Sequence, residues 1–227
     1  MKQSYLKTCN KIYTVSKNKL PIFVYVLLLV SLFLNIFLSL KLYQSHFHLV
    51  TSITDGDTVV IDNNQVLRLF SINAPELKNC GGLEAKEYLE NLILNKRVKV
   101  KNLGYDIFHR TLAVVYLGGK NVNQEMLLSG MAEYSSDKDL FRDNFQKAAT
   151  MAEAKNLGIY AKCRTKIPDN PKCDIKAIVR RDTKTYVLPS CISSYSRTLI
   201  KKDYGDHWLC TESEALKAGF KKTGDCH

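Results

Sequence analysis

The sequence predicts an α+β protein, mainly β, in which a small closed Greek-key barrel carries packed helices. One apolar helix precedes the barrel and a small cysteine-containing module follows it. Three observations carry this prediction. A run of 21 residues, Leu20 to Leu40, contains no charge. Beyond it the pattern runs several period-2 segments, one helical segment, two further period-2 segments, then two helical segments. Past residue 172 there are four cysteines in 55 residues.

At 1.5 Å rise per residue, a helix over the uncharged run spans the roughly 30 Å hydrocarbon core of a bilayer. Lys2, Lys7, Lys11, Lys17 and Lys19 crowd the first nineteen residues, and no Asp or Glu occurs before Asp55. With Lys41 alone on the far side, the positive-inside bias places residues 1–19 in the cytoplasm and everything after Lys41 outside. Residues 20–41 therefore read as an uncleaved signal anchor. The rival is a cleaved signal peptide, which needs a shorter apolar region and a small-x-small site. Ser39-Leu40-Lys41 and Gln44-Ser45-His46 both make poor sites.

After a spacer from Leu42 to His48, Val59-Val60-Ile61 and Val66 to Ile72 alternate as strands, with Asp62-Asn63-Asn64 as the turn between them. Ala85, Tyr88, Leu89, Leu92 and Ile93 recur at helical spacing within Glu84 to Leu94. Val98 to Leu103 and Leu112 to Leu117 are two more strands. Val122 to Ser129 reads as a short helix, and Leu140 to Asn156 as a longer one. This order suits the OB architecture, although periodicity alone does not separate it from other α+β layouts. Pro168, Asn170 and Pro171 interrupt the pattern, making 164–172 a linker. In the module 173–227, Thr211 and Glu214 have capping-box spacing ahead of a helix ending at Gly219.

The charge is uneven. Residues 55–161 hold 13 basic and 14 acidic residues, whereas 162–227 hold 14 basic and 8 acidic. The net charge of +11 therefore belongs to the two ends, and the basic tail is expected to supply affinity for a polyanion. Cys9 precedes the anchor, where a reducing cytoplasm keeps a thiol. Cys80, Cys163, Cys173, Cys191, Cys210 and Cys226 follow it, and an even number outside reads as a disulfide set.

Three segments carry chemistry. Thr54-Asp55-Gly56-Asp57-Thr58 joins two strands, and its plain reading is a hairpin turn. In Leu67-Arg68-Leu69-Phe70-Ser71-Ile72-Asn73-Ala74-Pro75-Glu76, an arginine sits inside an apolar strand and a carboxylate follows eight residues later. A buried arginine needs a partner, although an edge-strand arginine can snorkel. In Asp106-Ile107-Phe108-His109-Arg110-Thr111-Leu112-Ala113-Val114-Val115-Tyr116 a second arginine opens an apolar strand. His46, His48 and His109 lack metal-ligand spacing and receive no role.

In order and spacing, over about 115 residues, these three segments resemble the staphylococcal thermonuclease family. Gly130-Met131-Ala132 and Leu157-Gly158-Ile159-Tyr160 fall where that family has similar segments. The resemblance implies a five-stranded OB barrel over 48–163 that hydrolyses phosphodiester bonds of DNA or RNA with Ca²⁺. It implies that Arg68 and Arg110 hold the scissile phosphate, that Glu76 acts on the attacking water, and that Asp57 ligates the metal. The family's second metal carboxylate falls at Asn73 and its neighbouring threonine at Ala74. Asn73 offers a neutral carbonyl and Ala74 a backbone carbonyl, so the metal is expected to be held more weakly, with Asp55 able to compensate. Phe108 and Tyr134 fall near base-stacking positions, with core packing as the plain alternative. Extracytoplasmic members carry cysteines at the places of Cys80 and Cys163, implying a disulfide.

The module resembles a short domain that follows some nuclease domains, through Cys173-Asp-Ile-Lys, Tyr186-Val-Leu-Pro-Ser-Cys191 and Trp208-Leu-Cys-Thr-Glu212. Because about 55 residues bury too little surface without staples, the expected bonds are Cys173 with Cys210 and Cys191 with Cys226. Zinc is the alternative, weakened by the lack of any Cys-x-x-Cys pair. Two functions follow: a membrane-anchored nuclease acting outside the membrane, or an OB module that only binds nucleic acid or protein. Nothing in the sequence identifies a protein partner.

Overall fold

In the computed structural model, residues 21–44, 47–135, 141–180 and 183–223 are described, and the chain forms two compact units, 1–45 and 46–227. In the first, Pro21 caps the start of helix α1 (Ile22–Gln44), its carbonyl accepting from the Val24 N–H. Ile22–Leu40 is long and apolar enough to cross a membrane by length and composition, and none of it is buried.

The second unit opens with strands β1 (Phe47–Asp55), β2 (Thr58–Ile61), β3 (Val66–Leu69) and β4 (Ile72–Asn73). Helix α2 (Gly82–Ile93) follows, then β5 (Arg97–Tyr105), β6 (Thr111–Leu117), β7 (Lys120–Asn121), helix α3 (Val122–Leu128), β8 (Glu133–Tyr134), helix α4 (Arg142–Ala154) and helix α5 (Ile159–Lys162). Strands β1, β2, β3, β6 and β5 form a closed five-membered ring, because β3 pairs in parallel with β6 while the other pairings are antiparallel. Alternate residues Val59 and Ile61, Leu67 and Leu69, and Ala113 and Val115 point inward, as a pleated strand requires. Ala85, Leu89 and Ile93 of α2 and Phe145, Ala148 and Ala149 of α4 join the same core, each set at helical spacing.

Most element boundaries shift by one or two residues from the sequence expectation, and three differences matter for the fold. Chain pairing begins at Phe47, inside the expected spacer, because Phe47 and His48 pair with β5. The expected single strand Val66 to Ile72 is two, broken at Ser71, whose φ of 60° lies in the left-handed region that no strand tolerates. Helix α4 begins at Arg142 among the described residues, and Leu140 lies outside them.

After α5 comes β9 (Arg164–Thr165), and the C-terminal module then holds β10 (Ile175–Arg180), β11 (Thr183–Val187), helix α6 (Ile192–Arg197), β12 (Ile200–Lys201), β13 (His207–Leu209), helix α7 (Glu212–Lys217) and β14 (Lys221–Lys222). Strands β13, β10, β11 and β14 form one sheet over a small core of Ile175, Ala177, Tyr186, Ala215 and Phe220. The capping box opens α7, with Glu214 N–H donating to Thr211 Oγ1 at 3.2 Å. Disulfides join Cys80 to Cys163 and Cys173 to Cys210, so the latter pair is engaged with itself and not with zinc. Cys226, the expected partner of Cys191, lies outside the described residues.

Within the expected linker, Arg164–Thr165 pairs with Ile200–Lys201. Next to that pairing is a nearly dry ionic cluster. Glu133 accepts from Arg164, from Tyr204 and, at 3.1 Å, from Lys201, while Asp203 takes Arg164 Nη2 at 3.0 Å. Arg164 also stacks its guanidinium 4.3 Å from the Tyr160 ring. The barrel and the module thus share one electrostatic joint, and Asn79 Nδ2 extends it by donating to the Asp203 carbonyl at 3.2 Å.

Candidate active site

Strand register explains why three distant segments meet. Thr58 lies opposite Arg68 in the β2–β3 pair, so Asp57, one residue earlier, sits beside the Arg68 side chain. Leu67 lies opposite Thr111 in the parallel β3–β6 pair, which brings Arg110 to the same end of the barrel. Asp55 pairs with Thr58 across the two-residue turn Gly56-Asp57. This turn packs closely on α2: a Cβ on Gly56 would lie 2.6 Å from the Ala74 Cβ and 2.7 Å from that of Ala85. The turn is therefore a hairpin and also the floor of a site.

Asp57 is the most engaged carboxylate there. Its Oδ1 accepts from the Arg68 guanidinium and from Thr58 Oγ1 at 3.1 Å, and its Oδ2 accepts from the Ala74 N–H at 2.9 Å. Burial pushes Asp57 up to about 6; Arg68 opposes this rise and the nearby Asp55 adds to it. Arg68 also donates to Asn73 Oδ1 at 3.2 Å, so the arginine expected to meet phosphate bridges two of the three expected metal ligands, Asp57 and Asn73. The buried-arginine requirement for a partner is met by Asp57.

Arg110 is held by Asp106, whose Oδ2 accepts from Arg110 Nε at 2.7 Å while Oδ1 accepts the Arg110 and Phe108 N–H groups. This leaves the end of the guanidinium for another ligand. Asp106 was part of the quoted segment, but its service as a clamp needed the tight Asp106–Arg110 turn to be visible. Glu76 is exposed on the loop between β4 and α2. Its carbonyl accepts from the Asn79 N–H, and any side chain at Gly82 would land on that carbonyl. The Cys80–Cys163 bond fixes the far side of this loop.

A cleft of about 130 Å³ is lined by Asp55, Asp57, Arg68, Asn73, Ala74, Pro75, Glu76 and Arg110. All six expected catalytic and metal residues, Asp57, Arg68, Asn73, Ala74, Glu76 and Arg110, therefore face one space. Phe108 and Tyr134 do not line it. Phe108 is 70% exposed, with the Arg110 guanidinium 5.4 Å from its ring, so core packing does not account for it. Tyr134 packs against the barrel core and pairs with Ile72 through β8. His48 bonds Asp62 at 3.1 Å on the barrel's flank.

The side-chain ligands the cleft offers a cation are oxygens: the carboxylates of Asp55, Asp57 and Glu76 and the Asn73 amide. Among the described residues there is no group of three or more His, Cys, Asp and Glu side chains placed for a metal. This set fits a hard divalent cation held loosely, as Ca²⁺ tolerates neutral oxygens, and does not fit a soft metal. The raised Asp57 carboxyl fits the same picture, since a neighbouring cation would offset the penalty of ionising it in a buried place.

Sequence reasoning overlooked Asn123, fully buried and bonded to the Val115 N–H and to the Phe70 and Ala113 carbonyls. It staples the break after β3 to β6, and so sets where β4 carries Asn73. A lone asparagine early in an apolar helix, with Val122 before it, was the available signal.

Comparison with known proteins is consistent with this geometry. Residues 66–162 match the family described as staphylococcal nuclease homologue. The chain is similar to an "uncharacterized endonuclease" of Haemophilus influenzae, 34% identical over 64% of this chain and 83% of that protein. It is also similar to a thermonuclease of Staphylococcus intermedius, 28% identical over 50% of this chain and 75% of the other. A "probable endonuclease" of Phaeosphaeria nodorum is 31% identical over 56% of this chain, which spans about half, 51%, of that protein.

Proposed function

The chain belongs to the family of staphylococcal nuclease homologues, and from that premise we propose that it is a membrane-anchored nuclease hydrolysing phosphodiester bonds of DNA or RNA. The observation that carries this reading is the single cleft in which Arg68, Arg110 and Glu76 converge beside Asp57. Arg110, gripped from behind by Asp106, presents a planar fork suited to two phosphate oxygens. Arg68 reaches the same phosphate once it exchanges part of its contact with Asp57 and Asn73 for it. Together the two guanidinium groups neutralise charge on the equatorial oxygens as it builds. Glu76, unburied and on a loop fixed at both ends, orients the attacking water and takes its proton. Asp57, Asp55, Asn73 and the Ala74 carbonyl would hold Ca²⁺, which supplies further charge neutralisation at the phosphate.

The anchor is Ile22–Leu40, and the excess of lysine before it supports an N-terminus in the cytoplasm with the barrel outside. Two disulfides in the second unit support an oxidising compartment for it.

A second reading, an OB module that binds without cutting, is favoured by one observation: Asn73 stands where a carboxylate is expected and is bonded to Arg68. Digestion with Glu76→Gln and Arg110→Ala separates the two. The nuclease reading expects losses in turnover of about 10²–10³ for each, with binding retained in Glu76→Gln. Binding by a wild type that never cuts in any divalent cation would leave the second reading standing alone.

A further inference from the structure

Resting on the nuclease reading, we propose that the C-terminal module forms one wall of a second groove, continuous with the catalytic cleft, that binds the nucleic-acid strand beyond the scissile phosphate. The catalytic cleft itself is small. At about 130 Å³ it has room for a few water volumes of about 30 Å³ each, enough for a phosphate group and too little for a nucleotide. Beside it lies a cavity of about 790 Å³, within the range of sites that hold whole ligands. The two share Arg68, Asn73, Ala74 and Glu76, so a chain seated on the arginines has a direct way into the larger space.

The chemistry of the larger groove suits a polyanion with flat bases. Lys78 from the catalytic loop and Lys184 from β11 face it. Asp203, the module's carboxylate in the lining, is directed to Arg164 at 3.0 Å and is 4% exposed, so it does not repel an incoming phosphate. His207 presents an exposed imidazole, held edge-on against Phe220 at 5.5 Å and hydrogen-bonded through Nδ1 to the Gly205 carbonyl at 3.0 Å. A positioned aromatic ring beside two ammonium groups is the combination that binds single strands without sequence preference. The module's position is not incidental either. The Glu133–Arg164–Asp203 joint and the Asn79 hydrogen bond hold its wall against the catalytic loop. The phosphodiester chain is thus read by Lys78 and Lys184, and one flanking base by His207.

Equilibrium binding tests this on the full chain in detergent, carrying Glu76→Gln so that the ligand survives. Labelled single-stranded oligothymidylates of two and eight nucleotides are the probes, followed by fluorescence anisotropy. Lys184→Glu and His207→Ala are each expected to weaken the longer probe about tenfold, in line with one phosphate contact or one stacked base. The dinucleotide should lose much less, and Lys184→Glu should lower the salt slope by about one. His207→Phe keeps a ring at the same place and should restore the long-probe affinity. Lys99→Glu changes net charge equally at an exposed position of β5 outside the groove, and should have a smaller effect.

Equal losses from Lys99→Glu and Lys184→Glu would overturn the proposal, because bulk charge would then suffice. So would equal losses for both probe lengths, or failure of His207→Phe to restore binding. If the chain with native Glu76 neither binds nor cuts these probes or oligouridylates of the same lengths, the nuclease reading itself fails, a result distinct from loss in the groove variants alone.

Discussion

At the residue scale the site is a contest among charges in a confined space. Asp57 is buried, and burial outweighs the guanidinium beside it, leaving the carboxyl raised to about 6. Such a group binds its proton more tightly in the folded than in the unfolded chain. Its contribution to stability is therefore fully present below about pH 4 and is lost as pH rises through about 6. With a chelator present, Asp57→Asn is expected to raise the melting temperature at pH 7 and to have little effect near pH 4; the reverse order would mean that Arg68 more than compensates for burial. The neighbouring position answers to the same logic. Asn73→Asp adds a negative charge to a loosely built oxygen site and should tighten Ca²⁺ binding in titration calorimetry. Unchanged affinity would remove Asn73 from the ligand set.

At the element scale, three devices hold the cleft residues still: the Gly56 turn on α2, the Asp106 clamp on Arg110, and the joint around Glu133. Burial alone would push Glu133 up, but donors from Tyr204, Arg164 and Lys201 hold it below the usual carboxylate range. Its stabilisation is accordingly present above the unfolded pKa and lost as pH falls through the folded one. Glu133→Gln should destabilise the fold by about 3 kcal/mol at pH 7, as expected when a buried pair loses one partner. The gap from wild type should close in acid, measured by urea unfolding at both pH values. Glu133 also pairs with Asn73 through β4 and β8, so the same substitution should weaken Ca²⁺ binding. What the sequence disclosed at this scale was uneven. Alternation in Val59 to Ile61 and Leu112 to Leu117 marked the strands, and the Asp57, Arg68 and Arg110 segments were brought together by their joint resemblance to the thermonuclease family. The Glu133 joint was not legible, because Arg164, Lys201 and Tyr204 lie 31, 68 and 71 positions from Glu133 and only tertiary packing brings them together. The break at Ser71 was equally hidden, since the Phe70 carbonyl beside it is held by Asn123, which reaches across from α3.

At the scale of the whole molecule, charge and covalent bonds divide the labour. The barrel is close to neutral, whereas residues 1–19 and the module are basic. In the proposed function, the module works in the substrate path and the N-terminal lysines orient the anchor. Peptide mapping under non-reducing conditions should return Cys80–Cys163, Cys173–Cys210 and Cys191–Cys226, with Cys9 as the free thiol; zinc bound to free thiols in the module would contradict the scheme. The central claim, metal-assisted phosphodiester hydrolysis by this cleft, is tested most directly by digestion. The full chain in detergent is incubated with a DNA plasmid and a folded RNA, in Ca²⁺ and then in chelator, beside Glu76→Gln. Cleavage of at least one substrate is expected in Ca²⁺, none in chelator, and a loss of about 10²–10³ in Glu76→Gln. Equal rates for wild type and Glu76→Gln, or cleavage indifferent to chelator, would contradict it.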